Sequence, residues 1–354
     1  MAESMLHLLV ACSSPTLKGL LQVKEYVADN KVRSRAGAGH LPAIEFEPMS
    51  SLDEAVANAS TDPAANIILA GGFSSAQIRR VLAEHAIPPG LIIIASPPAG
   101  TEKLHVPTAS LFEARTITRV HSLVDGVRKA VLRFTARQLG DLREIKESTE
   151  FERYFELRFK VWKDMGYIPP ERNLDNDGWE IDHFDRFALP IGLFSASNEM
   201  IACARLVQQF GRETTEHVRA ISRLLERRGT QAAARAFSYP GTAEQPFDIL
   251  CEFRSFRDYF RRLIRKQSSV AEVSRIIVAP EFRGCGLAEV LVDSLGTLAK
   301  LQRVDVLMLA CREALSPLYQ HCGFSPVRGL VSEKFISIPE KSIVMERVLN
   351  RGET

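Results

Sequence analysis

Glu272-Val273-Ser274-Arg275-Ile276-Ile277-Val278-Ala279-Pro280-Glu281-Phe282-Arg283-Gly284-Cys285-Gly286-Leu287-Ala288 is the stretch on which the fold turns. Its apolar, β-branched run predicts a strand over Ala271–Val278. Pro280 ends that strand, and Gly284 and Gly286 mark a tight turn. From Leu287 the apolar residues fall at helical spacing, which predicts a helix over Leu287–Leu301. A strand that enters a basic, glycine-containing turn and then a helix leaves backbone N–H groups unpaired at the positive end of the helix dipole. Such a turn is an anion site, because glycine lets the backbone approach a pyrophosphate and Arg283 adds charge at the rim. A plain strand-to-helix connection has the same local pattern, so the context decides.

Downstream, Asp305–Cys311 reads as a strand and Ser316–His321 as a short helix inside Leu318-Tyr319-Gln320-His321-Cys322-Gly323-Phe324. Upstream, Leu142–Ile145 reads as a strand and Glu150–Lys163 as a helix with Phe155, Phe159 and Trp162 on one face. Gly166–Gly178, rich in Pro, Asn, Asp and Gly, reads as a loop. Ala188–Phe194 and Met200–Val207 read as antiparallel strands, Val218–Arg228 and Phe253–Lys266 as helices, and Phe335–Ile338 and Ser342–Val348 as late strands. This is an α+β order.

The first ~135 residues read differently. Leu6–Ala11, Ala43–Phe46, Asn66–Ala70 and Leu91–Ala95 predict strands, with a short fifth at Leu104–Val106. Helices are expected at Leu52–Asn58, Ser75–His85 and Ile117–Thr135. Alternating strands and helices predict a parallel sheet covered on both faces. The chain is thus α/β followed by α+β, with domains expected at 1–138 and 141–354 and a boundary at Gln138–Asp141. The first half resembles, in topology alone, a flavodoxin-type or response-regulator receiver domain. The resemblance implies a degenerate, receiver-like domain, since Cys12-Ser13-Ser14 and Gly71-Gly72 stand where acids would hold magnesium and accept phosphate. Neither GxGxxG nor GxxxxGK[ST] occurs in it.

The chain has 354 residues, a length that suits two domains. A formal net charge of +2 excludes a surface that coats nucleic acid, so any basic site is local. The longest apolar runs, such as Leu91–Ala95 and Val306–Cys311, are far short of the ~20 residues that span a bilayer. Met1-Ala2-Glu3-Ser4 does not read as a secretory signal. The six cysteines form no CxxC pair, which fits a reduced cytoplasm. The histidines form no HExxH cluster, so no metal site is indicated.

The strand, the Arg283–Ala288 turn, the second strand and the Leu318–Phe324 segment together resemble the GNAT acyltransferase superfamily. The resemblance implies a GNAT fold over 141–354. It also implies donor binding of acyl-CoA or of an acyl-carrier-protein thioester by Ile276, Ile277, Val278, Arg283, Gly284, Cys285, Gly286, Leu287 and Ala288. Tyr319 would protonate the departing thiolate. A more specific likeness lies in Arg158-Phe159-Lys160-Val161-Trp162, Glu180-Ile181-Asp182-His183-Phe184-Asp185, Cys203-Ala204-Arg205-Leu206 and Glu272-Val273-Ser274-Arg275. In this order the four blocks resemble acyl-homoserine-lactone autoinducer synthases, a GNAT branch. Two departures matter. The Arg283–Ala288 loop is strong here, and Val207-Gln208-Gln209 follows where that family carries Pro-Thr. The N-acyl amino acid synthases combine both features and are the first choice, with a homoserine-lactone product second. The rival of another class is a non-catalytic sensor that binds acyl-CoA. No resident cofactor is implied; the thioester is a cosubstrate.

The residues carry their own reading. Glu272 in an apolar strand is costly unless paired or functional, and it is the candidate base for an acceptor amine. Asp182 and Asp185 form a solvated acidic loop or orient an acceptor ammonium. Arg205 and Arg275 pair with those acids and hold the loop, or meet substrate. The four-block resemblance adds Arg158, Trp162, Glu180 and Ser274 to the candidate acceptor site. Arg254, Arg257, Arg261, Arg262 and Arg265 make a basic helix that is either solvated or docks an acidic acyl carrier protein.

Overall fold

The computed structural model describes residues 5–12, 43–49, 66–71, 92–96, 116–119, 123–167, 178–208, 215–228, 249–250, 256–266, 268–328, 333–334 and 341–349, with single residues at 54, 55, 57, 80, 247 and 330. Two compact units emerge: Met1–Leu139 with Gly284–Gly286, and Gly140–Arg283 with Leu287–Thr354. Of the helices expected at Leu52–Asn58 and Ser75–His85, only Glu54, Ala55, Ala57 and Arg80 are described, all helical, and the strands expected at Leu104–Val106 and Phe335–Ile338 lie outside the described residues.

In the first unit, β1 (Met5–Cys12), β2 (Ala43–Met49), β3 (Asn66–Gly71), β4 (Ile92–Ser96) and β5 (Thr116–Arg119) form a parallel sheet in the order β2-β1-β3-β4-β5. The near-continuous apolar character of β1, β3 and β4 is what a sheet covered on both faces requires. One expectation needs correction. The helix predicted from Ile117 begins at Leu123 and runs to Leu139 as α1, because Thr116–Arg119 pairs with β4 as a strand. Two threonines and an isoleucine there favour extended backbone.

The second unit is built on an eight-stranded mixed sheet. Its elements are β6 (Asp141–Glu144), α2 (Ser148–Asp164), β7 (Ala188–Phe194), β8 (Met200–Gln208), α3 (Thr215–Arg228), α4 (Phe256–Arg265), β9 (Val270–Val278), α5 (Leu287–Leu301), β10 (Val306–Arg312), α6 (Ser316–His321), β11 (Ser325–Pro326), β12 (Glu333–Lys334) and β13 (Lys341–Val348). The path is β11-β13-β10-β9-β8-β7-β6, with β12 beside β13. All neighbours are antiparallel except β9 and β10.

That parallel pair is short. It joins Val270 to Val306, Ala271 to Leu307 and Glu272 to Met308, and there the ladder ends. The other edge of β9 explains why. Arg205 pairs with Ser274 but Cys203 pairs with Ile277, so Arg275 and Ile276 both oppose Ala204. The extra residue is a β-bulge, which bends the strand that carries it. Arg275 sits there at φ +55, a left-handed conformation that a side chain adopts only when its surroundings hold it. The two parallel strands therefore fork beyond Glu272 and Met308.

Helix α2 lies on one face of the sheet. Glu147 and Glu150 form a capping box at its start. Its buried face is Phe151, Tyr154, Phe155, Leu157, Arg158 and Val161, packed with Trp179, Ile181, Cys203 and Ile277. The face expected from Phe155, Phe159 and Trp162 is rotated: Trp162 is only partly buried and packs at the margin of this core. Helix α5 packs on β8 and β9, with Leu287, Val290, Leu291, Val292, Leu295, Leu298 and Ala299 buried. Among the described residues no helix is long and apolar enough to cross a membrane.

Candidate functional site

The bulge in β9 aims Arg275 at a closed set of ion pairs. Arg158 on α2 pairs with Glu180 and, at 2.7 Å, with Asp185. Arg205 on β8 donates to both carboxylate oxygens of Asp182 at 2.7 and 2.8 Å and to Asp185 at 2.7 Å. Arg275 meets Asp182 at 2.6 Å and Glu180 at 3.3 Å. Each of these acids thus bridges at least two of the arginines, and Asp182 lies within 3.9 Å of Arg158 as well. The ring is neutral in sum and nearly dry: Arg158 and Arg205 are fully buried. Arg205 Nε also donates to Ser274 Oγ at 3.0 Å. The Arg275 guanidinium lies 4.4 Å above the centroid of the Trp162 ring, a cation–π contact.

Local structure sets this up. Asp182 caps the 3-10 turn His183–Arg186, accepting from the Phe184 N–H, while Asp185 reaches back to the Asp182 N–H. The turn's own hydrogen bonds thus hold both carboxylates in place beside the arginines. Burial alone would raise the Asp182 carboxyl, but the Arg205 and Arg275 charges outweigh it and hold the group well below the usual carboxylate range. Burial works against the charge on Arg158 and Arg205, and the adjacent carboxylates overcome it and raise both. A solvated acidic loop at Asp182 and Asp185 is thus contradicted: both carboxylates are engaged, and Asp185 is 1% exposed. All the residues predicted for the acceptor side, Arg158, Trp162, Glu180, Asp182, Asp185, Arg205, Ser274 and Arg275, meet in one network.

Glu272 lies on the Ser274 face of β9, at the last rung before the fork. It is 1% exposed, and its Oε2 accepts the Ile249 N–H at 3.1 Å. Ile276 and Val278 are half-buried and Ile277 is buried beyond the fork. Past β9 the chain makes a 3-10 turn, Pro280–Phe282, and then the glycine turn into α5. Gly284 (φ +83) and Gly286 (φ +73) both take the left-handed conformation, which explains their spacing. Arg283 and Gly284 are exposed, Cys285 and Leu287 are buried, and Ala288 is half-buried. Arg283 Nε donates to Val278 O at 3.3 Å, so its guanidinium folds back along the strand end.

Tyr319 sits on α6, buried edge-on against Phe324. Burial pushes its hydroxyl well above the ordinary range, the neighbouring Cys311 and Cys322 add to that, and Arg312 opposes it. Cys203, Cys285, Cys311 and Cys322 are buried thiols; burial pushes Cys311 up to about 12. Among the described residues no group of three or more His, Cys, Asp or Glu side chains could hold a metal ion.

Helix α4 presents Arg261, Arg262 and Arg265 to solvent, and the exposed Lys266 follows it. Arg257, predicted on the same exposed face, is half-buried and donates to Leu250 O at 3.3 Å, so it supports the fold. Arg254 lies outside the described residues. Sequence reasoning missed Tyr154, whose hydroxyl meets Asp185 at 3.4 Å. Tyr167 and Arg312 were missed as well; their rings and charges meet in a stack with Trp162. A cation closing an apolar strand, Val306–Arg312, was the available signal for Arg312.

Residues 253–326 match the family described as "Acetyltransferase (GNAT) domain". Among solved structures, FeeM, an N-acyl amino acid synthase from uncultured soil microbes, aligns with a TM-score of 0.40 at 12% identity over 59% of this chain and 90% of its own. The CoA-dependent acyl-homoserine lactone synthase BjaI aligns with a TM-score of 0.35 at 13% identity over 57% and 76%. The AHL synthase LasI gives 0.36 at 12% over 59% and 89%. No curated protein matches the chain in sequence.

Proposed function

We propose that the protein, whose residues 253–326 match a GNAT acetyltransferase domain, transfers an acyl group from a thioester to a primary amine, most specifically that of an amino acid. The observation that carries this reading is the fork of β9 from β10 beyond Glu272 and Met308, with the charged ring on one flank and the glycine turn at the end of the strand. A thioester in the fork would meet backbone along Ile276–Val278, and its phosphates would meet the Arg283–Ala288 turn.

In this mechanism the acceptor amine attacks the thioester carbonyl carbon. The C–N bond forms, the C–S bond breaks, and the electron pair leaves on sulfur. Glu272 takes the proton from nitrogen, directly or through a water. Tyr319 donates a hydrogen bond to the departing sulfur; its raised affinity for its proton keeps it a donor across neutral pH. The Arg158, Arg205 and Arg275 ring holds the wall of the acceptor side rigid. An ammonium is not drawn to a neutral ring, so the acids position the arginines and the turn, not the substrate.

The donor is acyl-CoA or an acyl carrier protein. The exposed charges of α4 favour an acidic carrier. Reversing Arg261 and Arg265 to Glu should slow transfer from a carrier-protein thioester strongly and leave transfer from the CoA thioester within about threefold. Equal losses would remove the carrier reading. The four-block resemblance keeps a homoserine-lactone product as the second reading. Offering amino acids and S-adenosylmethionine together as acceptors separates the two by the product formed.

The first unit, with its 2-1-3-4-5 parallel strand order, we read as a flavodoxin-like or degenerate receiver scaffold.

A further inference from the structure

Glu272 is held from the side of helix α4. Val207, Glu272, Met308 and Glu346 form one row across β8, β9, β10 and β13, and cross-strand neighbours share a face. Two acids thus flank the fully buried Met308 on the last rung before the fork. Each takes a hydrogen bond from the segment that covers this face. The Ile249 N–H donates to Glu272 Oε2 at 3.1 Å, and the Tyr259 hydroxyl on α4 donates to Glu346. Phe247, Ile249 and Leu250 pack into one core with Phe256 and Phe260 of α4. The Leu250 N–H closes a turn on Phe247 O at 3.1 Å. Arg257 on α4 then reaches back to that turn: its Nε donates to Leu250 O at 3.3 Å.

A backbone N–H cannot swing as a side chain does; its direction is set by the plane of its peptide. The Ile249 N–H therefore aims at Glu272 only while the turn Phe247–Leu250 keeps its orientation. Apolar packing keeps the turn buried but is non-directional. The Arg257 bond is directional, acts one residue from that N–H, and has an ionised donor, the stronger kind of hydrogen bond. Its effect on Glu272 is twofold. A general base must point at the proton it takes and must be charged to take it. A carboxylate that accepts an N–H is fixed in direction and keeps its charge more readily. On β8, β9 and β10 the other charged side chains that share this face are Arg205 and Arg312, and Glu346 lies one strand further on. From the covering side come Arg257 and Tyr259.

We propose that Arg257 is a positioning residue for Glu272: by fixing Leu250 O it aims the Ile249 N–H at the carboxylate, which orients that base and holds its charge. The inference rests on the acyl-transfer reading and deepens it. Arg257 acts through two hydrogen bonds to the backbone of one turn and touches no reacting atom. Helix α4 then has two separate roles. Arg261 and Arg265 face solvent, where a carrier would dock, and Arg257 faces inward and serves the base.

The test follows kcat, KM and the pH profile in the unaltered protein, Arg257→Met, Arg257→Lys and Tyr259→Phe, with acyl-CoA and with an acyl carrier protein thioester as donors. Tryptophan fluorescence in urea checks the fold of each. Arg257→Met keeps the apolar stem and loses the donor. It should lose part of the roughly 10²–10⁴-fold that a general base contributes, about 5–30-fold in kcat, to the same extent with both donors and with donor KM unchanged. The acidic limb of kcat/KM that vanishes in Glu272→Gln should move up by about half to one pH unit, because the carboxylate is less well supported in its charged form. Arg257→Lys keeps a charged donor and should show an intermediate kcat and limb. Tyr259→Phe loosens the same helix at Glu346 and should leave the limb in place. An unmoved limb in Arg257→Met with kcat within about twofold would overturn the proposal. A loss confined to the carrier-protein thioester would overturn it in favour of docking, and the same limb shift in Tyr259→Phe would overturn it in favour of a general effect of α4. If Arg257→Met does not fold, Arg257→Lys decides alone: an intermediate shift supports the proposal and an unmoved limb refutes it. No turnover of either donor by the unaltered protein would sink the acyl-transfer reading itself, and a limb that persists in Glu272→Gln would sink the base role of Glu272, each taking the proposal with it.

Discussion

Replacing Arg205 with methionine removes the guanidinium that holds Asp182 by both oxygens and reaches Asp185 and Ser274. Asp182 keeps Arg275 and Asp185 keeps Arg158, but the buried Asp185 and the partly buried Asp182 then face fewer positive charges than they need. Breaking a buried ion pair from one side costs about 3–5 kcal/mol, because the surviving charge stays desolvated. Folding free energies are only about 5–15 kcal/mol, so this is a large part of the total. The readout is favourable, since the chain has 2 tryptophans, Trp162 and Trp179, both in the second unit. Intrinsic fluorescence in urea therefore follows that unit by itself. With a slope of about 2–3 kcal/mol/M, the midpoint should fall by about 1–2 M. Arg205→Lys keeps the charge but loses the two-pronged contact and should fall between the two proteins. Coupling with Asp182→Asn should be at least about 1 kcal/mol. A loss below about 1 kcal/mol for Arg205→Met would refute the view that the ring is a closed, mutually dependent unit.

The same ring sets acid stability. Arg205 and Arg275 depress the Asp182 carboxyl below its unfolded value, so its contribution is complete above about pH 4 and is lost as pH falls toward the depressed folded value; Trp fluorescence against pH should show this, and Asp182→Asn should flatten the limb. At the glycine turn, Gly284→Asn and Gly284→Asp both tolerate a left-handed backbone, and a Cβ there meets open space. Calorimetry with CoA should find binding weakened about tenfold or more by Asp relative to Asn if phosphates sit there; equal affinities would exclude it. Glu272→Gln keeps an oxygen for the Ile249 N–H, and Tyr319→Phe keeps the ring against Phe324, so both should fold and lose roughly 10²–10⁴-fold in kcat. Losses under about threefold in both would remove these acid–base roles.

Much of this was legible in the chain because the signals were local. The helix Leu287–Leu301 follows from apolar spacing and its glycine turn, and β7, β8 and β9 follow from short apolar runs between turn residues. The strand Thr116–Arg119 was lost because helical spacing further along drew the helix back over it. The bulge at Arg275 has no local signature, since it is a register shift set by pairing with β8. The acids and arginines were legible as a set, but which met which was decided by contacts such as Arg275 to Asp182, far apart in sequence. Capping at Asp182, a three-residue pattern, was the local part of that answer. The stack through Tyr167 to Arg312 joins α2's end to β10 and depends on how the fork opens.

The most direct test of the central claim measures both products of one reaction. The purified protein is given an acyl thioester and a mixture of amino acids; free thiol is read by a chromogenic disulfide and amide by mass spectrometry. The account predicts one N-acyl amino acid for each thiol released, with both signals falling together in Glu272→Gln. Thiol release without amide, or thioester binding with neither product, would contradict it.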